Sequence, residues 1–453
     1  MASLFFAEAL LPEGWAHGVR IEIADGHIAA IDQDTSARPE DERHAIGLPG
    51  LPNLHSHAFQ RGMAGLAEIR GPASDSFWTW RDRMYRFVGA MDPDDVEALA
   101  AQAYMEMLEA GFTRVAEFHY LHHDRDGWPY ANLAELAERI GAAAQQTGIG
   151  LTLLPVFYAH AGFGGRQPDR QQGRFINDVD RFSRLVDASR RALAGTSGTI
   201  VGIAPHSLRA VTPDELAAIL PLATDRPIHI HIAEQTQEVT DCIAWSGRRP
   251  VDWLLDHAPV DQRWCLVHAT HMTPDETRRL AASGAVAGLC PITEANLGDG
   301  VFDAVGFREA GGTYGIGSDS NVQIGAADEL RQLEYSQRLA LRARNVLATG
   351  EGGSTGRALY DDALRGGARA TGLATAGLVE GAFADLISLD RNNVALAGRS
   401  GDAVLDAWIF AGGRGLVDCV WMRGGKVVEN GRHRNAEAIT QRFRRTLERL
   451  LAA

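Results

Sequence analysis

Eight apolar runs in the middle of the chain each stop at or beside a polar or aromatic residue, near His57, Tyr120, Tyr158, His206, His231, His268, Cys290 and Asp319. Between them lie stretches with helical spacing of apolar residues, at 94–110, 131–147, 179–193, 214–222, 251–257 and 275–283. Such alternation predicts βα repeats and a parallel sheet, because parallel neighbours are joined only through a crossover, most often a helix. Eight strand ends in about 270 residues predict an α/β protein with a (β/α)8 TIM-type barrel, whose active site gathers at the C-terminal ends of its strands. The polar residues sit at those ends.

The flanks read differently. Near the start, 19–23 and 27–31 alternate like strands around Asp25-Gly26, and near the end 384–390, 403–409 and 419–428 do the same, with Gly-Gly turns between some of them. A small β-sandwich assembled from residues 1–48 and 376–435 would bury both sets of apolar faces. That leaves 49–375 for the barrel and a helix at 436–453. Two connections on the barrel are long, 59–90 with Trp78, Trp80, Arg81 and Arg83, and 160–177, rich in Gly, Arg and Gln; long ordered loops there usually carry function.

Composition removes several classes of partner. At 453 residues the chain exceeds what a single core usually serves, and its 45% hydrophobic content can fill a large one. A net charge of -14 argues against a general phosphate-backbone binder, so nucleic acid is not expected. Cys242, Cys265, Cys290 and Cys419 show no CxxC spacing and read as small buried hydrophobes. The run Leu4-Phe5-Phe6-Ala7 meets Glu8 at once, without a basic segment before it, and no stretch reaches transmembrane length. A cytoplasmic protein without a membrane partner is the expectation.

The chemistry begins at Leu51-Pro-Asn-Leu-His-Ser-His57. In an extended strand residues i and i+2 project together, so His55 and His57 can grip one metal ion, or equally form a hydrogen-bonded core pair. His229-Ile-His-Ile-Ala-Glu234 repeats the alternation and adds Glu234 three residues beyond His231. His268 in Leu266-Val-His-Ala269 and Asp319 in Gly315-Ile-Gly-Ser-Asp-Ser-Asn321 each close a further apolar run.

His-X-His after strand one, His after strands five and six, and Asp after strand eight together resemble the amidohydrolase superfamily. The His-X-X-Glu form at strand five, without a convincing bridging lysine after strand four, is similar to its mononuclear deaminase branch. The resemblance implies that His55, His57, His231 and Asp319 hold one divalent metal ion, most simply Zn2+. It further implies Glu234, His268 and Asp319 as catalytic residues: Asp319 takes a proton from the attacking water, Glu234 hands one to the nitrogen of a C=N bond, and His268 stabilises the tetrahedral intermediate. His229 reads as an interior hydrogen-bonding residue, and His122, His123, His160 and His271 as loop or core histidines.

Four segments narrow the likeness: Leu54-His-Ser-His-Ala-Phe-Gln-Arg-Gly62, Ser76-Phe-Trp-Thr-Trp-Arg81, Ala204-Pro-His-Ser-Leu-Arg-Ala-Val211 and Leu330-Arg-Gln-Leu-Glu-Tyr-Ser-Gln-Arg-Leu339. Together they resemble the formimidoylglutamate deiminase family of histidine degradation, which hydrolyses an amidine-like formimino group carried on a dicarboxylate. That resemblance implies a small dicarboxylate substrate bound by Gln60, Arg81, Tyr120, His206 and Arg209, and a homodimer. Guanidinium forks suit carboxylates, and Arg81 and Arg209 are favoured for this over Arg83 and Arg86. Two rivals share the metal core: a nucleobase deaminase, which needs a flat aromatic slot, and a binding protein that has kept the fold without turnover.

Overall fold

A computed structural model describes residues 2–70 and 77–452, with the side chains of residues 2, 77–79 and 82 outside that description. The segment starting at Ser76 therefore begins outside the described residues, and the side chain of Trp78 lies outside them too.

Strands Leu51–Ser56, Phe112–His119 and Gly150–Phe157 pair in parallel, and the last of them also pairs with the short strands Ile200–Val201 and Ala204–Pro205. A second parallel sheet contains Ile228–Ile232, Trp264–His268, Val286–Leu289 and Thr313–Ile316. Nearly every residue of these strands is buried, as expected where helices cover one face and side chains fill the other. No continuous ladder joins the two sheets among the described residues. Isolated parallel bridges link them on both sides: Ile203 with Ile228 and Ser207 with His231 on one, Ser56 with Asp319 on the other.

The intervening helices start where their sequences supply caps. Asp92 with Asp95, Thr212 with Glu215, and Thr273 with Glu276 form reciprocal capping boxes ahead of Pro93–Glu109, Pro213–Ile219 and Pro274–Ser283. Behind the last strand, the helix Thr355–Ala370 packs very close. A Cβ at Gly366 would lie 1.9 Å from the Tyr314 carbonyl oxygen, so only glycine permits that approach.

Strands from both ends of the chain build one mixed sheet, in the order Arg432–His433, Gly425–Glu429, Val417–Met422, Leu386–Leu389, Glu42–Pro49, Ala2–Leu11, Gly14–Ala24, His27–Asp32. The sheet curls until its far parts meet. A Cβ on Gly424, in the turn after Val417–Met422, would lie 2.5 Å from Ile23, although three strands separate their own strands in the ladder. Phe6, Val19, Ile21, Leu386 and Trp421 form an apolar cluster distinct from the main core.

Two local expectations need correction. Residues 403–409 form helix, Asp402–Ala407 continuing into Trp408–Gly412, and not a strand. The buried residues Val404, Leu405, Trp408 and Ile409 recur at helical spacing, and Asp406 turns its carboxylate to Ser354 and the Gly356 amide. The connection 59–90 is also not a plain loop, because it contains a 3-10 turn at Ala58–Met63 and a helix at Phe77–Gly89.

Candidate metal centre and active site

His55 and His57 leave the end of Leu51–Ser56 with their Nε2 atoms turned to one point. Each Nε2 lies 3.3 Å from Asp319 Oδ1, and His55 Nε2 lies 3.0 Å from His231 Nε2. Two tautomers are fixed from behind: the Nδ1–H of His57 donates to the Phe118 carbonyl and that of His231 to the His206 carbonyl, both at 3.1 Å. A carbonyl can only accept, so the Nε2 lone pairs face inward. Three buried imidazoles within 4.8 Å of one another, beside a carboxylate, are a donor set for a divalent ion. Ligands bonded at about 2.0–2.1 Å in a tetrahedron stand roughly 3.3 Å apart, which matches these separations.

Burial pushes the His55 imidazole down to about 3, and those of His57 and His231 are lowered for the same reason, so all three are neutral and able to ligate. Burial would raise Asp319, yet the hydrogen bond with His55 and the charged His268 ring beside it hold it below the usual carboxylate range.

The local backbone is unusual where these residues sit. Ala233, His268, Ala269, Asp319 and Asn321 all have φ between 43° and 68°, a region costly for residues other than glycine. Surrounding hydrogen bonds hold the Asp319 turn in place. Asn53 donates to Ser318 Oγ at 2.6 Å, Ser318 Oγ donates to Asn321 Oδ1 at 2.6 Å, and Asn321 Nδ2 donates to Ser56 Oγ and to the carbonyls of His57 and Asp319, each at 3.1 Å. At Gly317 a Cβ would come within 2.7 Å of the His55 carbonyl oxygen, so glycine lets the chain pass there.

Glu234 and His268 flank the cluster. His268 Nε2 lies 3.8 Å from Glu234 Oε1 and 3.8 Å from Asp319 Oδ2. Burial pushes Glu234 up to about 6 against the opposing pull of His268 and Arg209. For His268 burial acts downward, but Glu234, Glu294 and Asp319 outweigh it and raise the ring to about 10. A carboxyl near 6 beside a charged imidazole can both release and take a proton at neutral pH.

A pocket opens over this cluster. His57, His231, Glu234, His268 and Asp319 line its floor, and Gln60, Arg81, Tyr120, His206 and Arg209 also line it. Gln60 donates to Tyr120 Oη at 3.0 Å, and the His206 ring lies tilted against His231 with centroids 4.9 Å apart. His55 stands just behind the floor. Arg83 is directed elsewhere, donating to the carbonyls of Leu66 and Ile69, and Arg86 is exposed.

The five histidines that the sequence set aside have partners of their own: His229 meets the Ala370 carbonyl at 2.7 Å, His122 that of Val156, His123 that of Ile176, and His271 that of Asp299, while His160 pairs with Glu215. The four cysteines are free and buried.

Three buried acids were not singled out from the sequence. Glu238 accepts from the amides of Ala233 and Glu234, Glu294 accepts from His268 Nδ1 at 3.2 Å, and Glu117 accepts from the Ala58 amide at 2.7 Å. The only sequence signal for Glu238 is its position four residues after Glu234, and nothing marks the other two.

Comparison with known proteins agrees with this geometry. Residues 46–428 match the Amidohydrolase family, and residues 1–45 match the N-terminal domain described as that of formimidoylglutamate deiminase HutF. Formimidoylglutamate deiminase of Pseudomonas aeruginosa is 53% identical over 453 residues, covering 100% of both chains. The crystal structure of an amidohydrolase from Brucella melitensis superimposes with a TM-score of 0.97 at 60% identity, again over 100% of each chain. An adenosine deaminase from Xanthomonas campestris, solved with bound zinc, shares the fold at a TM-score of 0.83 and 21% identity, covering 100% of this chain and 99% of its own. With its ligand-type side chains gathered at strand ends and a family match spanning most of its length, the chain belongs to the amidohydrolase family.

Proposed function

We propose that the protein is a deiminase that hydrolyses N-formimino-L-glutamate to N-formyl-L-glutamate and ammonia, a step of histidine degradation. The observation that carries this reading is a pocket with three imidazoles and Asp319 at one end and the guanidinium groups of Arg81 and Arg209 on its walls. A substrate with a C=N bond and two carboxylates matches those ends. A nucleobase has no carboxylate for the two arginines.

One Zn2+ on His55, His57, His231 and Asp319 would supply a water acidified to near neutral pH, ready to attack the formimino carbon. Asp319 is the carboxylate placed to take a proton from an attacking water. Glu234 delivers a proton to the imino nitrogen, which makes the carbon electrophilic; at collapse the proton held by Asp319 passes to that nitrogen, which leaves as ammonia, and the hydroxyl proton returns to Glu234. The charged His268 donates a hydrogen bond to the oxygen as the carbon becomes tetrahedral. Gln60, Arg81, Tyr120, His206 and Arg209 orient the glutamate portion.

The same reading closes the two parallel sheets through their bridges into one (β/α)8 barrel over 49–375, assigns 1–48 with 376–435 to a β-sandwich and 436–453 to a terminal helix, and places a homodimer in the cytoplasm. No helix among the described residues is long and apolar enough to cross a membrane.

The decisive experiment is ammonia release from N-formimino-L-glutamate before and after metal stripping. Turnover that disappears with chelation and returns with zinc is expected, with no release from guanine. Ammonia from guanine and none from the formimino substrate would replace this reading with the nucleobase one.

A further inference from the structure

Two long connections over the pocket are tied together by a single amide. Gln172, 2% exposed on the connection after Gly150–Phe157, donates its amide hydrogens to Tyr158 Oη at 2.8 Å and Tyr85 Oη at 3.4 Å. Tyr85 belongs to the helix Phe77–Gly89, and Tyr158 follows the end of its strand. The amide cannot be turned round, because Gln172 Oε1 accepts from the Asp169 backbone amide at 2.8 Å; the flipped form would set donor against donor.

This fixed polarity dictates what the phenols can do. Each oxygen accepts from Gln172 and keeps its own proton to donate elsewhere. The two phenols also approach one another, so one proton can be spent between them and one is left for a ligand. Both rings line the pocket together with Arg209, and Arg81 lies 5.5 Å over the Tyr85 ring. Burial pushes the Tyr158 hydroxyl up, so it remains a neutral donor throughout the working range.

The pair also stands one layer out from the metal cluster. Gln60, Tyr120 and His206 adjoin the metal histidines, whereas Tyr158 reaches them through His206, whose ring lies 4.5 Å away. In N-formimino-L-glutamate the α-carboxylate is attached to the nitrogen-bearing carbon itself, and the side-chain carboxylate lies farther from the reacting carbon. The outer layer therefore faces the side-chain carboxylate.

We propose that Gln172 is a positioning residue that presents the Tyr85–Tyr158 phenol pair, with its one remaining O–H, as a donor to the side-chain carboxylate of the substrate, selecting a dicarboxylate over its distal amide. The inference rests on the substrate reading above. A carboxylate accepts at both oxygens, whereas an amide brings an NH2 that meets phenol and guanidinium donors.

The test compares N-formimino-L-glutamate with N-formimino-L-glutamine in the Tyr85→Phe/Tyr158→Phe double variant and in Gln172→Glu, with metal content and thermal midpoint measured alongside. Removing a hydrogen bond to a charged group should lower kcat/KM for the glutamate substrate roughly 10- to 100-fold through KM. The glutamine substrate should change by less than about 3-fold. Gln172→Glu keeps the shape but offers the phenols an acceptor, drawing their protons back, and should give the same selective loss; it decides the matter if the double variant does not fold. Equal losses on both substrates, or none on either, would overturn the proposal. Wild-type protein inert toward N-formimino-L-glutamate would overturn the substrate reading and this subsite with it, and that result appears before any substitution is made.

Discussion

The floor of the pocket is joined strand to strand by backbone hydrogen bonds that side chains reinforce, whereas the two elements of its outer wall are joined through side chains. On the floor, the His57 amide donates to the Asp319 carbonyl and the Asp319 amide to the His55 carbonyl, each at 2.9 Å, so the first and last strands of the parallel sheets are joined where the donor set forms. On the outer wall, the helix Phe77–Gly89 and the connection 160–177 meet through Gln172, Tyr85, Tyr158 and Phe175. Reactions that need ligands fixed to a few tenths of an ångström sit on strands, while recognition of a particular metabolite sits on connections that can be exchanged without disturbing the sheet.

The contrast can be broken most severely on the floor. Asp319→Asn should reduce kcat by at least about 1000-fold, because proton acceptor and anionic ligand disappear together; ammonia release normalised to bound metal measures it. Near wild-type turnover in that variant would remove Asp319 from the chemistry. On the outer wall, Arg209→Ala or Arg81→Ala should raise KM for the formimino substrate about 10- to 100-fold with bound metal unchanged. Steady-state kinetics beside metal analysis separates the two walls, and a variant pair that keeps full catalytic efficiency would refute the carboxylate assignment.

The smallest effect concerns stability alone. Glu117, buried behind the loop that follows His57, is pushed by burial from 4.5 up to about 8. The folded protein therefore keeps this carboxyl protonated where the unfolded chain releases the proton. Its contribution is complete below about pH 4.5, declines as pH rises towards 8, and is constant above. Glu117→Gln, neutral at every pH, should be increasingly favoured over wild type from pH 5 to pH 8, by up to a few kcal/mol, with turnover retained. Thermal midpoints at the two pH values give the answer; parallel shifts would show that Glu117 does not titrate in this range.

How far the sequence could be read follows the same division. His55, His57, His231, His268 and Asp319 are legible because each ends an apolar run, and strand periodicity alone places i and i+2 on one side. The partners that orient them are not, since Glu294 and Asn53 act across 26 and 265 residues of sequence and have no local pattern. The stretch 403–409 deceives for another reason: Val404, Leu405, Trp408 and Ile409 satisfy a helix face, while the β-branched Val404 and Ile409 and the aromatic Trp408 suggest a strand. Gln172 is ordinary in sequence, one of several glutamines in a polar loop, and acquires meaning only beside two phenols.

The mixed sheet has a consequence for how the protein is made. Glu42–Pro49 pairs on one side with Ala2–Leu11 and on the other with Leu386–Leu389, which follows it by roughly 340 residues. At about 5–20 residues per second a ribosome needs roughly 20 to 70 seconds to deliver that partner. Throughout that interval the nascent chain presents an unpaired strand edge, so synthesis speed and chaperone cover bear on the yield of this protein more than on that of a chain whose neighbouring strands emerge in succession.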